Sequence, residues 1–198
     1  MAQEVLRDLA PLLAEEGVDV DNIDVPDLET LQRAMNHAVE RRNMELFSPV
    51  GPTRDIAVAT LRLVVEAILA GDTILAGTVL DQVQPESPDN TVATVASCIG
   101  IALRLLDDWM SGPDPTAPTR LAQHARLPTG HWNGERAATD ILVLAAKGKA
   151  FGSLDKLLVR QGGHQVLPGS ALALGAATRA WAQLTHTPPA ELIPTLIH

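Results

Sequence analysis

Two stretches of this chain, residues 54–70 and 91–110, would be apolar on nearly every face if wound into helices. The first carries Ile56, Val58, Leu61, Leu63, Val64, Val65, Ile68 and Leu69. The second carries Val92, Val95, Ile99, Ile101, Leu103, Leu105 and Leu106. A helix of that kind is usually central and buried on several sides. Both runs are too long for buried strands, and both are bounded by turn signals. Residues 48–52 (SPVGP) precede the first run and Gly71-Asp72 follows it. The polar, proline-bearing residues 85–90 precede the second. Residues 111–119 (SGPDPTAPT) follow it, and their three prolines and one glycine cannot continue a helix.

The remaining chain reads the same way. Val5, Leu6, Leu9, Leu12 and Leu13 predict a helix over 3–16, with Pro11 inside it and Gly17 as its stop. Residues 18–26 form an acidic connection, and Asp27 can cap a helix over 28–46. Thr53 is the expected cap of 54–70, and Asn90 that of 91–110. Further helices are expected at 73–83, 119–126, 135–150, 153–161 and 169–185, the last preceded by Pro168. Pro188-Pro189 opens a final short helix or tail. Val18-Asp19-Val20 is the one alternation, too short for a hairpin strand. The fold class is therefore all-α, a compact bundle of about eight or nine helices. One domain over 1–198 is expected. Residues 54–110 and 135–185 share a rhythm of helix, turn, short helix, loop and helix across the 111–119 linker. That rhythm fits a duplication, and fits better a run of antiparallel helices of similar length.

Aromatic residues are scarce, with three Trp, two Phe and no Tyr, so Leu, Ile, Val and Ala must fill the core. The net charge of −9 argues against binding nucleic acid or anionic lipid. The charge is uneven: residues 1–100 hold 17 acidic and 6 basic side chains, and residues 101–198 hold 7 and 9. That asymmetry fits a solvated acidic face, or head-to-tail association and a basic partner. Cys98 is the single cysteine, which suits a reducing compartment. The N-terminal residues lack the basic and apolar regions of a signal peptide. With no apolar run long enough to span a membrane, a cytoplasmic protein is expected.

The motifs that carry chemistry are tested next. Residues 19–30 resemble a calcium loop at first sight. Ile23, Asp24 and Thr30 stand where such a loop needs a ligand, a glycine and a glutamate. His37 and Glu40 share a helix face but have no second copy, and Arg33, Arg41 and Arg42 crowd them. The six histidines are scattered, so no metal site is expected. Cys98 lies in an apolar helix, where desolvation makes a thiol inert. No nucleotide-binding glycine motif or nucleophile elbow occurs. Gly148 and Gly152 fit a close approach or a helix end. No cofactor and no catalytic residue is expected.

Two features break local rules. Asp107 and Asp108 sit beside the negative end of their helix, with Arg104 one turn back. Arg54 and Arg136 sit at the positive ends of theirs, where they could meet carboxylates or an anion. His131-Trp132-Asn133-Gly134 is the other unusual spot, a lid on the core or the wall of a ligand pocket. The candidate binding residues are thus Arg54, Asp107, Asp108, His131, Trp132 and Arg136.

The leading expectation for function is a helical protein-interaction or assembly module, most simply a homodimer. The alternative is a small-ligand-binding sensory domain with its pocket near Trp109, Trp132 or Trp181. An enzyme using His131, Asp107, Asp108 or Arg136 ranks last, because no nucleophile stands with a base.

Overall fold

The computed structural model describes residues 45–83, 91–112 and 114–198, with isolated positions at 10, 14, 17 and 32. The backbone of Thr91 and Val92 is described and their side chains are not. Contacts group the chain into two units, residues 1–46 and 47–198. In the first, Gly17 donates its amide to the Ala14 carbonyl at 3.0 Å with φ of 78°, a left-handed turn at the predicted helix stop. The expected helices over 3–16 and 28–46, residues 19–30, His37 and Glu40 lie largely or wholly outside the described residues. So do residues 85–90 and the Asn90 cap.

The second unit is all-α among the described residues. Its helices are α1 (Pro52–Ala70), α2 (Thr73–Val83), α3 (Thr91–Ser111), α4 (Leu121–His124), α5 (Glu135–Ala145), α6 (Leu154–Gln161), α7 (Gly163–Thr185) and α8 (Pro189–Leu196). A short 3₁₀ turn, Phe151–Ser153, leads into α6.

Local chemistry sets most boundaries. Pro52 opens α1, where its fixed φ suits a helix and its missing N–H is not needed. Thr53 therefore lies inside the first turn, and Gly51, not Thr53, is the N-cap residue. Gly71 closes α1 in the left-handed region, and the Gly71 and Asp72 amides return to the Ile68 and Ala67 carbonyls. Asp72 then accepts the Leu75 amide at 2.9 Å and starts α2. In the linker after α3, Asp114 accepts the amide and hydroxyl of Thr116 at 2.8 and 2.7 Å.

Two expected helices have different limits. The one read as 135–150 stops at Ala145. Gly148 takes φ of 63°, and the Lys147 and Gly148 amides tighten onto the Leu144 and Ala145 carbonyls. The one read as 169–185 begins six residues earlier, at Gly163. Pro168 lies inside it, forfeiting one helical bond, and is buried in the core.

α7 is the axis of the core. Every residue from Val166 to Thr178 is buried. Its two buried hydroxyls, Ser170 and Thr178, bond to carbonyls of their own helix. α1, α3 and α5 pack on it directly. Small residues permit the closeness: a Cβ on Gly169 would lie 2.9 Å from the Ala138 amide nitrogen, and one on Gly175 would lie 2.7 Å from Ile68. Trp109 and Trp181 meet edge to face at 5.4 Å between α3 and α7. They belong to the core and line no cleft described below. Cys98 is fully buried with its thiol 3.8 Å from the Ala57 carbonyl, and desolvation pushes its pKa up to about 12.

Candidate functional site

One concavity among the described residues of the 47–198 unit is a cleft of about 280 Å³. α2 forms one wall through Thr73, Gly77 and Asp81. The loop residues His131, Trp132 and Asn133 form the opposite rim, and His164 at the start of α7 joins them. Ile68, Leu80, Pro168 and Leu172 supply apolar surface beneath. The loop is held firmly. Gly134 takes φ of 79°, and a Cβ there would run into α7 2.9 Å from the Gln165 carbonyl oxygen. Glu135 accepts the Trp132 amide at 2.8 Å. The Trp132 indole is half-buried against the core. Its buried Nε1–H, packed beside Gly130, has no acceptor among the described residues. A buried donor left unpaired is a group that a bound molecule or a shifted loop would satisfy.

The other sequence candidates do not converge on this cleft. Arg54 donates to the main-chain oxygen of His198 at 2.6 Å. It meets a backbone oxygen, and among the described residues no carboxylate side chain is its partner. Arg62, eight positions on, donates to Ile197 at 2.8 Å and Pro194 at 3.1 Å. The pair thereby satisfies carbonyls at the end of α8. Asp107 accepts the Ala150 and Phe151 amides at 2.8 and 2.9 Å, so it caps the turn before α6. Asp108 is exposed, and its pKa is raised by partial burial, then by the charges of Asp107 and Asp114, against the lowering effect of Arg104. Arg104 itself bonds Ser48 at 2.6 Å and lies 3.9 Å over the Phe151 ring. Arg136 is exposed at the start of α5. Among the described residues no group of three or more His, Cys, Asp and Glu side chains is placed to hold a metal ion.

A second feature is a surface. α1, read as apolar all round, leaves Ile56, Ala59, Leu63, Glu66 and Ala70 exposed. Ile56 and Leu63 keep 55% and 54% of their surface, so a helix expected to be central and buried on several sides has an open face. The spacing alternates three and four residues, the period of a helix–helix seam. Ile74 and Leu75 follow just past the turn, exposed by 80% and 49%. Sequence periodicity shows which residues share a face but cannot show that the face lacks a neighbour. His164 and Asp81 were missed for a similar reason, since only the packing of α2 against α7 brings them to the cleft.

Comparison with protein-family models, with curated proteins and with solved structures finds no match. No described helix is long and apolar enough to cross a membrane.

Proposed function

We propose that this chain is a protein-interaction module that pairs with a second copy of itself through α1. The exposed seam of Ile56, Ala59, Leu63 and Ala70 carries the reading. Four of the seven large exposed apolar side chains among the described residues lie on α1 or the start of α2. Such concentration marks an interaction surface better than scattered exposure does. Glu66 argues for the geometry. Parallel pairing would set the two Glu66 carboxylates face to face. Antiparallel pairing separates them and brings opposite helix dipole ends together. A two-fold arrangement also makes one patch serve both partners. The test is light-scattering mass against concentration. The wild type should form a dimer that dissociates on dilution. Leu63→Glu should be monomeric with unchanged helical content, because Leu63 is half exposed. A monomeric wild type at high concentration, or a dimeric Leu63→Glu, overturns the proposal.

A second reading, a small-ligand-binding domain, is supported by the cleft. Apolar surface from Ile68, Leu80, Pro168 and Leu172 beneath a polar lining of Thr73, Asp81, His131, Asn133 and His164 suits a small amphipathic molecule. Gly77 gives a direct test, since a Cβ there meets nothing within 4 Å. Gly77→Leu should fill the cleft without disturbing the core. Native mass spectrometry of the purified wild type should then show a bound small molecule that this variant lacks. Equal occupancy in both proteins, or none in either, removes the reading.

A further inference from the structure

α5 and α6 both pack on α7 and leave between their outer faces a groove of about 370 Å³. Val143 and Leu144 of α5 and Leu157 of α6 give it apolar walls, and Lys156 and Arg160 stand on its α6 rim. The turn that joins the two helices carries exposed Lys147 and Lys149. These three lysines are all the lysines of the chain. A protein of net charge −9 thus places two cationic side chains on the rim of one apolar groove and two more in the turn that joins the groove's two helices. Asp140 and Asp155 offset part of that charge. Arg160 reaches Asp140 at 3.5 Å but remains 64% exposed, so its guanidinium still faces solvent. Val143 within the groove keeps 53% of its surface exposed.

We propose that this groove binds an acidic peptide segment that also carries aliphatic side chains. The walls take aliphatic groups, and Lys156 and Arg160 meet carboxylates along the rim, with Lys147 and Lys149 adding positive charge from the connecting turn. Charge complementarity of this kind fixes orientation and speeds encounter more than it adds affinity. A nucleic acid fits less well. The groove has no aromatic wall for base stacking. Two carboxylates interrupt its positive charge, and the whole chain repels a polyanion. The inference concerns different helices from the α1 seam and stands whether or not that seam pairs.

The test is fluorescence anisotropy on the full chain, with a labelled peptide of alternating glutamate and leucine. Binding should weaken as salt rises. The double variant Lys156→Glu, Arg160→Glu should bind about tenfold or more weakly, since two exposed ion pairs are each reversed. Both side chains are exposed, so circular dichroism should be unchanged. Val143→Ser should weaken binding by about threefold through lost apolar contact. A same-length peptide of glutamate and serine should bind less well than the leucine peptide. The inference fails if the double variant binds as tightly as wild type, or if the serine peptide binds equally. It also fails if a single-stranded oligonucleotide or anionic vesicles displace the peptide more readily than unlabelled peptide does.

Discussion

α1 and α7 look alike as sequences and end in different places. Both are long and rich in aliphatic residues. α7 is buried on all sides from Val166 to Thr178, whereas α1 keeps a continuous open face from Ile56 to Ala70. The difference lies in side-chain size. α7 replaces bulk with Gly169, Ala171, Ala173, Gly175, Ala176 and Ala177, which let three helices close around it. α1 carries Ile56 and Leu63 on its exposed face as well as Leu, Ile and Val on its buried one. It contacts α2, α3, α7 and α8 and has still more apolar surface than these neighbours cover. Surplus of that kind, left uncovered by the described helices, is what association with another chain would use.

Truncating a leucine in each helix tests this directly. Leu174→Ala in α7 should lose about 2–5 kcal/mol of unfolding free energy, because a fully buried side chain leaves a cavity. Leu63→Ala in α1 should change monomer stability by no more than about 0.5 kcal/mol. Urea denaturation at low protein concentration measures both without a contribution from self-association. Similar losses in the two variants would break the comparison. The same helix offers a backbone test. Gly169→Ala should destabilise by about 1–3 kcal/mol, since its Cβ would press on Ala137 and the Ala138 amide.

The fold class was legible because the helical period, the proline breaks and the lack of strand alternation all agree. Helix ends were legible where a local residue sets them, as Gly71 and Pro189 do. They were not where tertiary packing overrides a local signal. Pro168 looked like a start because proline usually ends a helix. Burial of its surroundings instead carries α7 back to Gly163. The site was less legible. His131 and Trp132 stood out because an aromatic residue in a polar loop is unusual, and both line the cleft. Asp107 and Arg54 stood out as charges at the wrong helix ends. The structure gives both a role in satisfying backbone groups of another segment. A misplaced charge signals a distant partner without saying whether that partner is a ligand or the chain itself.

The polar margin of α1 is the next test. Arg62 is half-buried and holds two carbonyls at the end of α8. Arg62→Ala should lower stability by about 1–2 kcal/mol, as expected for charged hydrogen bonds lost from a partly buried site. Hydrogen exchange should localise the loss to residues 189–198, with the amides of α7 still protected. Exchange that rises equally in α7 would show that α8 and the core open together. α1 would then be as central as α7.

The smallest effect should come from a residue outside both helices. Asp108 lies near the end of α3, where a negative charge opposes the helix dipole and the carboxylates of Asp107 and Asp114. Its folded pKa is raised above the unfolded one. Between the two values the native state binds more protons than the unfolded state. Stability from this group is therefore greatest below the ordinary aspartate pKa and falls as pH rises through the raised one. Asp108→Asn removes the penalty. The variant should be more stable than wild type at neutral pH by about 0.3–1 kcal/mol. The difference should vanish on acidification through the carboxylate range. A variant less stable than wild type at neutral pH would mean that Asp108 makes a favourable contact outweighing its neighbours. Unchanged self-association in this variant, beside its loss in Leu63→Glu, would place the pairing surface on α1 and away from the end of α3.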